Sequence, residues 1–452
     1  MKSKFKKRAL ATAVSLMLLG GIETLHASVN VQCGNPGDDV NGNAILDVQE
    51  DSNPNNDVVT GPNNGTVKCM HLVAGDGFSE MSDGHPMYTF GFADKTGVLP
   101  DDVIAEGILA ARWPGSSIVL DEGDELFLSL TNVGTVMRPD LFDPHTVHYH
   151  GFPNAATVFD GVPEVSIAIN MGSTLTYYYN NREPGTYIYH CHVEATEHME
   201  MGMLANLYVH AKQDETGCTG TIPCPVGTRK GGTDPAAPTG YAYNDNDGTT
   251  AYDVEAPIQV SGFDSKFHDA HIQVQPLPFS TLETNYPQIN GRGYPDTVLD
   301  DVHTPSDLVV MHPPRDTDGF LNGVPGDTTP LNNGEVSQDM GAGITIEQGK
   351  KLLLRFSNVS IDRFFTLTAP GLKMKIVGTG ARQMRGLDGK NIYVNTSSIN
   401  FGGGETHDVI IDTSDVAEGT YFLNASEFYQ MSNKTQLDGG LITEIVVTAP
   451  GA

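Results

Sequence analysis

The sequence is short of several things. In 452 residues it holds a single tryptophan and five cysteines, and its 26 Lys and Arg are outnumbered by 56 Asp and Glu, a formal net charge of -30. Five cysteines cannot staple a chain of this length, so its fold must come from buried apolar cores. The shortage of positive charge argues against nucleic acid as a partner and favours a cationic or neutral one. Helical periodicity is scarce. Long apolar runs are scarce too: residues 9–22 form one, but it follows Lys2, Lys4, Lys6, Lys7 and Arg8 and precedes the small Ala27. That is the pattern of a secretory signal over residues 1–27, leaving no membrane span after its removal and implying export to a periplasm or the outside.

What is present falls into blocks. Residues 28–65 are rich in Asn, Asp, Gly and Pro and read as an irregular acidic leader. Within it Asp39, Asn41, Asn43, Asp47 and Glu50 place oxygen donors at positions 1, 3, 5, 9 and 12 of an EF-hand-like loop, which makes calcium a candidate ligand. Ala44 stands where such a loop takes glycine, and the alternative is a solvated acidic loop. From 66 to 211 the pattern is strands and turns, as in the runs Ser117-Ile118-Val119-Leu120 and Glu125-Leu126-Phe127-Leu128-Ser129-Leu130 around Asp121-Glu122-Gly123-Asp124. Residues 212–250 read as a linker, and β patterning resumes over 251–452. The expected fold class is all-β, two sandwiches of ordinary size.

The chemistry is concentrated in two stretches. Six of the fifteen histidines lie in His145-Thr146-Val147-His148-Tyr149-His150 and in the segment that begins His190-Cys191-His192, continues to His198 and ends at Met203. Imidazole, thiol and thioether are the soft and borderline donors that select copper. Alternate side chains of a strand share a face, so His190 and His192 stand on one side and Cys191 on the other. The same parity pairs His148 with His150 and sets His145 opposite. Two facing strands then build two sites back to back. One is a quartet of His148, His150, His190 and His192. The other is His145 with Cys191, joined by His198 and Met203 from the loop that follows. Two imidazoles, a thiolate and a weak axial thioether are the ligand set of a blue, type 1 copper centre.

Other donors have plainer readings. His71, His85, His210, His268, His271, His303, His312 and His407 are isolated and read as surface or satisfied core residues. His268 and His271, three apart, would take opposite faces of a strand. Met199 and Met201 read as packing, and Glu194, Glu197 and Glu200 as a solvated acidic loop. Pairing Cys218 with Cys224 and Cys33 with Cys69 would leave Cys191 as the unpaired thiol.

These motifs resemble those of the multicopper oxidase family. His145 to Gly151 is similar to its H-x-x-H-x-H-G motif, and His190-Cys191-His192 through His198 and Met203 to its H-C-H…H…M motif. Further matching segments are Arg112-Trp113-Pro114-Gly115 with Glu122-Gly123-Asp124, Phe159-Asp160-Gly161-Val162-Pro163, Pro184-Gly185-Thr186-Tyr187, Ile289-Asn290-Gly291-Arg292 and Gly419-Thr420-Tyr421. The resemblance implies two cupredoxin-like Greek-key β-sandwich domains. It also implies a type 1 copper on His145, Cys191, His198 and Met203, and half of a type 2/type 3 cluster on His148, His150, His190 and His192. The activity implied is oxidation of a small-molecule, metal-ion or protein electron donor coupled to reduction of dioxygen, with Cys191, His190 and His192 joining the two sites.

The second half departs from that pattern. Setting Gly419-Thr420-Tyr421 against Gly185-Thr186-Tyr187 puts Asn424, Ala425 and Ser426 where the first half has His190, Cys191 and His192. Half a cluster leaves three arrangements open: a homo-oligomer whose subunits complete it, a single catalytic copper as in the related nitrite reductases, or a blue-copper electron carrier or copper-binding protein without oxidase activity.

Overall fold

The structure is a computed structural model, which describes residues 67–152, 156–220, 223–299 and 341–451, with short strands at 320–321 and 324–325. The expected signal segment, the leader with its calcium donors, and Cys33, His303 and His312 lie outside the described residues. Strands carry the chain, with four short α-helices among the described residues: α1 (Val103–Gly107), α2 (Ala195–Glu200), α3 (Gln213–Thr216) and α4 (Ser265–Ile272).

The first sandwich comprises β1 (Val67–Glu80), β2 (Pro86–Asp94), β3 (Ile118–Asp121), β4 (Glu125–Gly134), β5 (His148–Tyr149), β6 (Thr174–Asn180), β7 (Gly185–His190) and β8 (Leu204–His210). One sheet runs β2-β1-β4-β6 and the other β3-β8-β7-β5. Between them lies a core that includes Leu72, Phe90, Leu128, Tyr177, Tyr187 and Cys191. Strand β7 is buried on both faces, as a near-continuous apolar run requires. Its odd positions, Tyr187 and Tyr189, and then Cys191, enter that core. Its even positions meet the second half of the chain: the Thr186 hydroxyl donates to Asp408, and Ile188 packs with Trp113, Phe263, Tyr286 and Val359.

Between the sandwiches, residues 212–250 are packed rather than loose in their described parts. They hold α3, the disulfide Cys218–Cys224, and β9 (Gly240–Tyr241), which pairs with β10 (Ala251–Tyr252). Asp214 is buried and accepts from Arg229 and the Tyr241 N–H. Cys69 is also disulfide-bonded, and Cys191 is a buried free thiol.

The second half of the chain comprises β11 (Val254–Phe263), β12 (Tyr286–Ile289), β13 (Phe320–Leu321), β14 (Val324–Pro325), β15 (Ile344–Glu347), β16 (Lys351–Asn358), β17 (Phe365–Thr368) and β18 (Met374–Thr379). It continues with β19 (Arg382–Gln383), β20 (Val394–Thr396), β21 (Ser398–Phe401), β22 (Thr406–Asp412), β23 (Gly419–Ala425) and β24 (Ile442–Thr448). Its main sheets run β12-β11-β16-β22-β18-β19 and β15-β24-β23-β17-β21, and the short β13 pairs with β14. The plan repeats that of the first sandwich. β11 runs parallel to β16 as β1 does to β4, and β15 parallel to β24 as β3 does to β8. The Tyr421 hydroxyl donates to the Ala417 carbonyl at 2.9 Å, as Tyr187 does to Glu183 at 2.9 Å, a corner that recurs where β-sandwich strands change direction.

Two expectations are corrected. His268 and His271 lie not on a strand but on α4, whose start is fixed by Asp264 accepting from the Lys266 N–H, and three-residue spacing on a helix puts both on one face. His198 sits on α2 rather than in a loop. The five residues between His192 and His198 are enough to wind a turn, in which the Glu194 carbonyl accepts from the N–H groups of Glu197 and His198.

Candidate metal centre

The two histidine stretches meet where β5 runs beside β7. His148 and His190 are direct cross-strand partners, as are Tyr149 and Tyr189. Strand β5 is only two residues long, yet the parity expected of a longer strand holds. The His145 N–H and carbonyl bridge to Ile169, and the ring of His145 reaches the side of Cys191.

On that side Cys191 Sγ lies 3.3 Å from His198 Nδ1 and 3.8 Å from His145 Nδ1. Tetrahedral to trigonal N and S ligands on one metal would stand about 3.5–3.8 Å apart, so this donor set fits a metal ion. Cys191, His145, His198 and Met203 are all buried. Met203 is tied to the cysteine through the backbone, its carbonyl accepting from the Cys191 N–H at 3.0 Å. Both imidazoles leave a buried Nε2 without a hydrogen-bond partner. Burial holds the His145 pKa well below the usual histidine range, with His198 adding to the effect. Burial pulls His198 down as well, but the neighbouring Cys191 and Asp143 outweigh it and raise His198 to about 10. Metal binding there must displace that proton. Asp143 Oδ2 stands 3.7 Å from His198 Nε2, and Asp143, Glu194 and His198 bring one ligand atom each within 4.8 Å of one another.

On the opposite face, His148, His150 and His190 bring their ligand nitrogens within 4.8 Å of one another. The ring of His192 stands edge-on to His148 at 5.0 Å and stacks near His190 at 5.7 Å. Backbone carbonyls orient three of these rings. His148 Nδ1 meets the Asp160 carbonyl at 2.7 Å, His190 Nδ1 the Cys191 carbonyl at 2.7 Å, and His150 Nδ1 the Gly404 carbonyl at 3.3 Å. A carbonyl only accepts, so the proton sits on Nδ1 and each Nε2 is left with a lone pair. His150 Nε2 and His190 Nε2 then face each other at 2.9 Å, two acceptors with nothing to share unless a cation lies between them. Burial, the largest effect, pushes His190 down to about 3 and also lowers His150, so both are neutral and able to ligate at neutral pH.

The carbonyl of Asp160 is placed by the glycine after it. Gly161 has φ +82°, and a Cβ there would lie 2.0 Å from the Val147 carbonyl oxygen, so only glycine lets this turn press against the strand that carries His148. Gly404 is similar: a Cβ would come within 2.8 Å of the His150 ring. These supports were not foreseen from the sequence, although the Asp160-Gly161 pair was visible in a matching motif.

The second sandwich offers no such donors at the matching places. Thr368 pairs with Asn424 and Leu367 with Ala425, so Thr368, Asn424 and Ala425 take the register positions of His148, His190 and Cys191. Among the described residues, none of the three groups able to hold a metal includes a residue beyond His198. Four of the remaining isolated histidines bond to neighbours in the fold, whereas His85 Nε2 and His407 Nδ1 are buried without a hydrogen-bond partner. His71 bonds Thr131 at 2.7 Å, His210 bonds Glu255 at 2.9 Å, and His268 and His271 are buried with partners of their own. Glu197 and Glu200 are not in a solvated loop: Glu200 is buried and Glu197 bonds His271, because α2 turns that face inward, and of the three only Glu194 is exposed.

Sequence profiles described as multicopper oxidase match residues 100–214 and 294–451, together more than half of the chain. The chain belongs to the multicopper oxidase family. Copper resistance protein A of Escherichia coli is 27% identical over 318 residues, which cover 66% of this chain and 41% of that protein. A laccase of Aspergillus fumigatus, abr2, is 35% identical over 99 residues, 21% of this chain and 16% of its own length. The matched region thus spans less than half the length of these curated relatives. Among solved structures, the blue copper oxidase from Nitrosomonas europaea superposes with a TM-score of 0.55 at 19% identity, covering 84% of this chain and 86% of that one. That likeness establishes the fold, a pair of cupredoxin sandwiches, for this multicopper oxidase relative. No helix among the described residues is long and apolar enough to cross a membrane.

Proposed function

We propose that this chain is an exported copper-dependent oxidoreductase that takes single electrons from a donor at a type 1 site and passes them to dioxygen at a second site. His145, Cys191, His198 and Met203 would hold the type 1 copper, and His148, His150, His190 and His192 would hold half of a type 2/type 3 cluster. Copper supplies one-electron exchange at the first and dioxygen reduction at the second. The observation that carries this reading is the opposite presentation of the rings: Nδ1 toward sulfur in one set, Nε2 toward Nε2 in the other. Adjacent residues of one strand end, Cys191 and His190, belong to different sites, so a single peptide link joins them.

Three of the quartet, His148, His150 and His192, are only partly buried, which leaves room for donors from outside the chain. The second sandwich supplies none among the described residues, so a homo-oligomer would complete the cluster. The donor we favour is cationic, a metal ion or a positively charged molecule, because Asp143 and the exposed Glu194 stand at the Nε2 edge of His198 on a chain of net charge -30.

Copper counting on the purified oligomer, together with oxygen uptake, tests the reading. More than one copper per chain, a visible thiolate-to-copper band and donor-dependent oxygen consumption are expected. Cys191→Ser should remove the band from a folded protein. One copper per chain with a blue band and no oxygen uptake would instead mark an electron carrier, and an unchanged spectrum in Cys191→Ser would refute the type 1 site.

A further inference from the structure

Helix α4 belongs to the second half of the chain but is seated in the first sandwich. Its Phe267 is fully buried in the first core, and Ile272 packs against that core. His268 and His271, one helical turn apart, face α2. His271 Nε2 lies 2.8 Å from Glu197 Oε1, and its Nδ1 lies 3.0 Å from Arg138 Nη1, which also donates to the His271 carbonyl. A guanidinium only donates, so Nδ1 accepts and the proton on Nε2 is given to Glu197. One turn along, Glu200 Oε1 accepts from the Asp264 N–H at 2.7 Å, with His268 Nε2 3.9 Å away.

One imidazole is therefore held by both segments that bring the sulfur site its histidines. Glu197 is the neighbour of His198 on α2. Arg138, fixed by two bonds to Asp140 at 2.9 and 2.7 Å, stands on the segment that leads to His145. The ring of His271 also stands edge-on to Phe90 at 4.9 Å, and Phe90 edge-on to His198 at 5.7 Å.

We propose that His271 is a positioning residue: through Glu197 and Arg138 it sets where His198 and His145 stand relative to Cys191. This rests on the copper reading above. It gives the second half of the chain, which supplies none of the donor groups among the described residues, a part in the chemistry of the first. Exposed ion pairs contribute little. His271 is 1% exposed, and losing it strips buried partners from Arg138 and Glu197 at once.

The test uses the full chain. His271→Phe keeps a flat ring against Phe90 but neither nitrogen, whereas His271→Gln keeps one amide donor and one carbonyl acceptor. In the copper-loaded protein His271→Phe should shift the midpoint potential and weaken the thiolate-to-copper band, and His271→Gln should return both toward the parent. In the metal-free protein, amide hydrogen exchange over residues 138–146 and 195–203 should run about tenfold faster in His271→Phe while the second sandwich is unchanged. Should His271→Phe not fold, Glu197→Gln, which keeps an acceptor but removes the charge, is measured in its place, and a shifted potential is again expected. A parent-like potential and spectrum in a folded variant, unchanged exchange, or equal shifts in the Phe and Gln variants overturns the proposal. A parent chain with no thiolate band overturns the copper reading instead, and the exchange measurement still decides the role of His271.

Discussion

An imidazole has two nitrogens, and in this chain backbone carbonyls choose between them. His148 and His190 each spend Nδ1 on a carbonyl 2.7 Å away and so turn Nε2 to the quartet. The sequence made the donors legible, because residue type and alternation are written in it. It could not show the tautomers, since the carbonyls of Asp160, Cys191 and Gly404 are placed by turns and by a distant strand connection. Histidines outside the sites have their own consequence for stability. Burial pushes His71 down to about 4, against the raising effect of Asp94. The unfolded chain therefore takes up this proton first as pH falls. Stability from the neutral form is complete above about pH 6.5 and is lost progressively toward pH 4, by roughly 3 kcal/mol for this residue. Urea unfolding of metal-free protein at pH 7 and 4.5 should show the loss, and His71→Gln should make it smaller, with His268, which burial also lowers to about 4, still contributing. Equal slopes for parent and variant would remove His71 from the account.

At the scale of elements, short segments set the sites more than long strands do. Strand β5 has two residues, and the Asp160-Gly161 turn pressed against it orients His148. Gly161→Ala should force that turn away, because its Cβ would meet the Val147 carbonyl at 2.0 Å and its φ of +82° disfavours a side chain. Copper held by the quartet should fall while the thiolate band persists, as read by metal analysis beside the visible spectrum; retention of all copper would show that the turn is dispensable. The two sandwiches were readable from their alternating runs. Helix α4 was not, because its apolar positions are few and its burial comes from the other sandwich, a contact that no local pattern encodes. The same holds for α2, whose inward Glu197 and Glu200 look from sequence like any acidic surface.

For the whole molecule, charge is the dominant far-field property. A net charge of -30 and the carboxylates of Asp143 and Glu194 beside His198 should draw cations to that edge. Oxidation of a small cationic donor is expected to slow several-fold between about 10 mM and 150 mM salt, as the Debye length shrinks from about 30 to 8 Å, while a neutral donor changes little. Stopped-flow reduction with matched donors measures this, and identical salt responses would mean that the field does not guide the donor. Polar contacts join the two halves. The Thr186 hydroxyl donates to Asp408, His210 bonds Glu255 at 2.9 Å, and the Trp113 indole donates to Gln288 at 2.7 Å, so each half is held against the other by largely buried polar groups.

The duplicated plan bears on the order of events when the protein is made. With Thr368, Asn424 and Ala425 at the key positions, the second sandwich keeps the same ladders and the same tyrosine corner. Backbone pairing and an apolar core therefore suffice to shape such a sandwich, in contrast to small domains that stay unfolded until metal arrives. The first half, built to the same plan, is thus expected to take shape before it is filled, so that its cargo can be delivered late.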